Sequence, residues 1–245
     1  MSRHAILAEG LFDIEWAKTA ACIIRYRPER VVAVIDSTQA GRDASEILGF
    51  GLGIPVVGRL NEALALRPAP TSLLLGIAPQ GGELPEDWRA TIREALEHGL
   101  DVWSGLHTFL GDDPELARLA EAHGAALHDV RRPPAGLPVG TGRARETGAL
   151  RVLTVGTDCN VGKMTAGMEI VHALRESGLR AEFTATGQTG IMIEGRGIAV
   201  DAVVTDFVAG AAERLVLEAD PAAEVVVVEG QGSLLHPGYS GVTLS

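Results

Sequence analysis

Short apolar runs recur along the first half of the chain, separated by polar turns rich in glycine and proline. Runs at Ala5–Ala8, Val31–Ile35, Pro55–Val57, Ser72–Ile77, Asp101–Ser104 and Ala126–Val130 are short and mostly apolar on both faces, as strands buried inside a parallel sheet are. Helical segments are expected between them. Ile14–Tyr26 is one, Glu86–His98 follows Pro85 as another, and Asp113-Pro114 opens a third with Asp113 as its N-cap. Repeated βαβ alternation predicts a Rossmann-like, doubly wound parallel sheet over residues 1–132.

The pattern then breaks. Arg131–Gly148 holds three prolines, four glycines and four arginines with no apolar period, so residues 133–149 read as a linker. Beyond it come a strand at Leu150–Val155, a helix at Lys163–Glu176 and a strand at Ala181–Thr184. A glycine-rich loop at Thr186–Gly197 and a helix at Asp206–Glu218 follow. The strand Glu224–Val228, with four consecutive valines, delivers Glu229-Gly230-Gln231-Gly232 at its end. Residues 150–245 thus read as a P-loop NTPase-like α/β domain, so the whole chain is α/β. With only about three strands, this second sheet is expected to be incomplete at the C-terminal side and to leave an edge or apolar face for a partner subunit or further chain.

Between that first strand and helix lies GTDCNVGKMT, Gly156–Thr165. A strand, a glycine-rich turn, a lysine and a helix start make an anion site: the first-turn N–H groups lack intrahelical partners, and the helix dipole is positive there. Gly156, Thr157, Asp158, Asn160, Gly162, Lys163, Met164 and Thr165 are the candidate ligand-binding residues, with Lys163 as the point charge. The spacing departs from the usual Gly, four residues, Gly-Lys-Ser/Thr, because five residues separate Gly156 from Gly162 and Met164 follows the lysine. GTD-x-x-VGK is similar to the loop of dethiobiotin synthetases, where a threonine after the lysine ligates magnesium. A thioether is a poor magnesium ligand, so ATP with magnesium is disfavoured and no resident metal is expected.

Glu229 ends a buried strand, where such folds place an acid directed at a metal; the alternative is a carboxylate satisfied by backbone N–H groups. EGQGS also looks like the VEGAGG of dethiobiotin synthetases. His236 and Tyr239 lie in a nearby Pro-Gly turn, and His236 is a candidate proton acceptor. In the first domain no GxGxxG follows the first strand, so a standard NAD site is not expected. Asp36, after Val31–Ile35, is a candidate for a ribose hydroxyl or a helix cap. Ala78–Gly82 and Ser104–His107 are further loops at strand ends.

Composition narrows the partners. The formal charge of −11 opposes nucleic acid as main partner. Two cysteines without a CxxC spacing imply no metal site and fit a cytoplasmic protein. Acids at Glu9, Asp13 and Glu15 interrupt the first apolar stretch, so no signal peptide is expected, and no run reaches membrane-span length.

VVAVIDSTQAGRDASEILGFGLGIPVVG, LLLGIAPQGGELPEDW, GLDVWSGLHTFLGDDPEL, VGTDCNVGKMTAGMEI and EGQGSLLHPGYSG together resemble one prokaryotic family over nearly the whole chain. It is the D-glutamate N-acetyltransferase family, earlier a domain of unknown function with a Rossmann-like front and a P-loop back, working beside a racemase-like or dehydratase-like partner. The resemblance implies acetyl transfer from acetyl-CoA to the amino group of D-glutamate or a similar amino acid. It implies coenzyme A phosphates on the P-loop, with Lys163, Glu229 and His236 as catalytic candidates and Arg42 or Arg143 as candidates for the substrate carboxylates. Family members run on beyond the length of this chain. Small-molecule substrates and a homo-oligomer are expected. Two alternatives stand beside this: an ATP-dependent ligase or kinase of the dethiobiotin synthetase type, and a non-catalytic nucleotide- or CoA-binding protein.

Overall fold

The computed structural model describes residues 2–77, 84–236 and 240–243. The chain divides into two compact units, Met1–Val130 and Arg131–Ser245. The first is built on six strands: β1 (His4–Leu7), β2 (Val31–Ile35), β3 (Val56–Val57), β4 (Ser72–Leu75), β5 (Asp101–Ser104) and β6 (Leu127–Asp129). All neighbours run parallel in the order β3-β2-β1-β4-β5-β6. This is the Rossmann order, whose connections reverse direction between β1 and β4. β1 and β4 are buried at every residue, which is why their sequences show no polar alternation. The loop Ala78–Gly82 after β4 lies outside the described residues.

Helices connect the strands: α1 (Lys18–Tyr26), α2 (Ala44–Leu48), α3 (Leu60–Ala65), α4 (Glu86–Glu97) and α5 (Pro114–His123). α1 starts four residues later than the apolar pattern suggests. Asp13 Oδ1 accepts the N–H groups of Glu15 at 2.8 Å and Trp16 at 2.6 Å, a local turn that competes with the helix. Asp113 caps α5 as expected, accepting the N–H groups of Glu115 and Leu116 at 2.9 and 3.1 Å.

The second unit holds β7 (Leu150–Leu153), α6 (Lys163–Glu176), β8 (Ala181–Thr184), α7 (Gln188–Glu194), α8 (Thr205–Leu217) and β9 (Val225–Val228). Its sheet is parallel in the order β7-β9-β8, so the four valines of β9 lie at the centre and are buried. β7 is an edge strand among the described residues, and Leu150, Leu153 and the following Val155 are 63%, 52% and 50% exposed. The residues read as a linker are tied to α8: Glu213 accepts the Thr141 N–H and hydroxyl at 2.8 and 2.7 Å and the Ala144 N–H at 3.2 Å. These donors, the Thr141 hydroxyl foremost, hold the Glu213 carboxyl well below the usual carboxylate range.

The glycine-rich stretch after β8 is not all loop. Gln188–Glu194 forms α7, with Ile191, Met192 and Ile193 buried, and Gly195 ends it in a left-handed conformation. Its glycines serve close packing. A Cβ on Gly190 would stand 2.5 Å from Glu229 Oε2 and 3.3 Å from the Phe183 ring.

Candidate functional site

Parallel α/β sheets gather ligands at the C-terminal ends of their strands. In the second unit three segments leave that edge: the loop from β7 to α6, the turn from β8 to α7, and the residues after β9. Thr154 stitches the first to the third. Its N–H donates to the Val228 carbonyl at 3.1 Å, and its hydroxyl accepts the Gly230 N–H at 3.0 Å. Gly230 passes so close that a Cβ would lie 1.7 Å from the Thr154 carbonyl oxygen and 3.5 Å from Lys163 Cδ. Leu234 N–H donates to the Gly156 carbonyl at 2.9 Å.

Within the loop, Asn160 and Gly162 take left-handed φ values of 57° and 96°, which curl the chain before α6. The Lys163 ammonium donates to the Asp158 carbonyl at 2.7 Å, and Asp158 Oδ1 accepts the Cys159 N–H at 2.7 Å. No side chain caps α6 and no acid lies in its first turn, so its positive end is not neutralised from within the helix. Thr157 and Asn160 are exposed and Thr165 is half-buried. Met164 is 4% exposed and shares a buried helix face with Gly167, Met168 and Val171. What Met164 offers a ligand is therefore its backbone N–H.

Glu229 is buried at the centre. Its Oε2 accepts the N–H groups of Thr186 and Gly187, both at 3.1 Å, and the Thr186 hydroxyl donates to the Glu229 carbonyl at 2.5 Å. Of the two roles open to this acid, the geometry displays the carboxylate pinned by backbone donors. A Cβ on Gly187 would meet Glu229 Oε1 at 3.0 Å and Gln231 Nε2 at 2.5 Å, so both side chains lie over the turn that begins α7. His236 closes a four-residue turn: its N–H donates to the Ser233 hydroxyl at 3.0 Å, and that hydroxyl donates back to the His236 carbonyl at 3.1 Å. The His236 side chain is half-exposed. Tyr239 lies outside the described residues.

One group was not legible in the sequence. Arg131 Nε donates to Gln188 Oε1 at 3.1 Å, and the guanidinium pairs with Asp201. Asp201 is carried beside β8 because Val200 N–H donates to the Thr186 carbonyl at 3.0 Å. Arg42 and Arg143, named through the family resemblance as examples for the substrate carboxylates, have other partners: Arg42 bonds Gln39 at 2.7 Å and Glu46 at 3.4 Å, and Arg143 faces Glu146 at 3.9 Å.

In the first unit, Asp36 is instead an internal clamp, with no exposed surface for a ribose hydroxyl. Its Oδ1 accepts the Thr38 N–H and hydroxyl at 2.9 and 2.6 Å, and its Oδ2 accepts the Phe12 N–H at 2.9 Å. Glu9 binds the Ser37 N–H at 3.0 Å in the same way. These bonds join the loops after β1 and β2. Among the described residues no group of three or more His, Cys, Asp and Glu is placed to hold a metal ion, and no helix is long and apolar enough to cross a membrane.

Two family models match the chain. The Rossmann-like domain of DUF1611, a domain of unknown function, matches residues 37–133, and the P-loop domain of DUF1611 matches residues 138–245. A D-glutamate N-acetyltransferase of Tritonibacter scottomollicae is 40% identical over 233 residues, covering 95% of this chain and 66% of that protein. A D-glutamate N-acetyltransferase of a Pseudoalteromonas species is 43% identical over 176 residues, covering 71% of this chain and 51% of that protein. The chain therefore spans between half and two thirds of these curated relatives. The crystal structure of a DUF1611 family protein from Anabaena variabilis superposes with a TM-score of 0.92 at 42% identity, covering 98% of this chain and 69% of that one.

Proposed function

The chain belongs to the DUF1611 family, and we propose that it is an N-acetyltransferase moving an acetyl group from acetyl-CoA to the amino group of D-glutamate or a similar amino acid. One observation carries the reading. The Lys163 loop and the Glu229–Gln231 turn meet at one sheet edge, in a chain 40% identical over 95% of its length to a protein named for that reaction.

The first-turn N–H groups of α6 and the Lys163 ammonium suit the diphosphate of coenzyme A. Acetyl transfer consumes no ATP, which agrees with a methionine in place of the usual hydroxyl after the lysine. The amine attacks the thioester carbonyl, an amide C–N bond forms, the C–S bond breaks, and the thiolate leaves as coenzyme A. The amine must shed a proton in the process. His236, half-exposed beside the P-loop edge, takes that role here. Glu229 is suited to a different one, since a carboxylate already accepting two backbone N–H bonds anchors a turn. It holds the β8 and β9 ends in register beneath the substrates.

The test follows free thiol released from acetyl-CoA with D-glutamate, with and without excess EDTA. The expected result is D-glutamate-dependent release that survives EDTA and falls about 100-fold or more in His236→Ala. Magnesium-dependent ATP turnover with no thiol release would overturn the reading in favour of an ATP-dependent ligase or kinase.

A further inference from the structure

The C-terminal edge of the second sheet has a cationic side chain at each of two poles. Lys163 stands at the β7 side, with its stem against Gly230. Arg131 stands at the β8 side, bonded to the first residue of α7. Glu229 and Gln231 lie between, over Gly187. The Lys163 pole carries the curled loop and the uncapped start of a fourteen-residue helix, which suits phosphate. The other pole is built differently. The Arg131 side chain is only 12% exposed and is ion-paired with Asp201, so its charge is compensated and its position fixed.

Its effect on Gln188 is directional. Gln188 Oε1 accepts the Arg131 Nε–H at 3.1 Å. An amide whose oxygen is held by a donor has its orientation settled, and its NH2 group turns away from the guanidinium with two N–H donors. Gln188 is half-buried, whereas Gly187 before it and Thr189 after it are buried. Its side chain is thus the polar group that the start of α7 presents at this edge.

We propose that Gln188, oriented by Arg131, binds a carboxylate of the acceptor amino acid, with Arg131 acting as a positioning residue. This rests on the acetyl-transfer reading. The phosphate-bearing donor occupies the Lys163 pole, the acceptor the Gln188 pole, and the amine and thioester meet above Gly230. A donor-only amide face bonds a carboxylate more strongly than a neutral acceptor, so the site favours acidic amino acids.

The experiment measures steady-state thiol release while D-glutamate and acetyl-CoA are varied separately. Gln188→Glu keeps an oxygen for Arg131 but replaces the two donors with an acceptor. It is expected to raise KM for D-glutamate at least about tenfold, the scale of losing a hydrogen bond to a charged group, with KM for acetyl-CoA within twofold. Arg131→Lys, which loses the planar fork, is expected to shift the same KM in the same direction by a smaller factor. Glutarate, a dicarboxylate without the amine, should compete with D-glutamate in the unmodified protein and lose potency in Gln188→Glu. If Gln188→Glu does not fold, Gln188→Ala takes its place with the same expected split. Unchanged KM for D-glutamate in an active, folded variant overturns the assignment alone. Absence of thiol release by the unmodified protein with every amino acid tried overturns the acetyl-transfer reading, and this assignment with it.

Discussion

Acidification should weaken the first unit through a single imidazole. His4 heads β1 with its ring buried, Nδ1 2.8 Å from the Ser72 hydroxyl and Trp103 edge-on at 6.2 Å between centroids. Burial, aided by the Arg30 charge, lowers its pKa from 6.5 to about 4. Between those values the unfolded chain binds a proton that the folded chain does not. The contribution to stability is therefore intact above about pH 6.5 and is lost as pH falls toward 4. At about 1.4 kcal/mol per pKa unit, the full shift corresponds to roughly 3–4 kcal/mol, most of which is lost by pH 4.5. That is a sizeable fraction of the ~5–15 kcal/mol typical of a domain. All three tryptophans, Trp16, Trp88 and Trp103, fall in the first unit, so tryptophan fluorescence during urea unfolding isolates its transition. The comparison is unmodified protein against His4→Gln at pH 7.5 and 4.5. Carboxylates titrate equally in both, and the unmodified protein should lose about 2–3 kcal/mol more. Parallel losses, or an NMR titration of His4 near its ordinary value, would refute the reasoning.

Two further outcomes follow from the second unit. Lys163→Ala should weaken acetyl-CoA binding by about 1–3 kcal/mol, the loss of a charge-assisted bond, and calorimetry with unchanged affinity for acetyl-CoA, coenzyme A and ATP would remove the phosphate assignment. Gly230→Ala places a methyl 1.7 Å from a backbone oxygen that has no flexible end to yield, so a destabilisation of about 3 kcal/mol or more is expected; a thermal midpoint equal to that of the unmodified protein would contradict it.

Much of this architecture was legible because it is written in local pattern. The strands Asp101–Ser104 and Ala181–Thr184 and the helix Lys163–Glu176 fall at the residues their apolar runs and flanking glycines suggest. α7 was not legible, because Gly187, Gly190 and Gly195 read as breakers when two of them make room for Glu229. The β7 loop and Glu229 stand out in the sequence as candidates because they follow apolar strands, and the structure brings them to one sheet edge. Arg131, Gln188 and Asp201 could not, since their bonds span 57 and 70 positions and no periodicity encodes such a meeting. Asp36 illustrates the converse: an acid after a strand has the same local signature whether it faces a ligand or, as here, two neighbouring loops.

The central place of β9 has a consequence during synthesis. Among the described residues β7 and β8 pair only with β9 in this sheet, and Leu150 meets Val225, about 75 positions later. Until that strand emerges, neither earlier strand has a partner in the sheet, and the Lys163 loop has no platform beneath it. Such long-range pairing is slow to nucleate because loop closure precedes any gain from contact. A nascent chain on the ribosome thus carries its Lys163 loop without support from the sheet while some seventy codons are read. On the proposed reading, a ligand of the Lys163 loop stabilises only the chains that have passed Val228, and so acts as a late folding template.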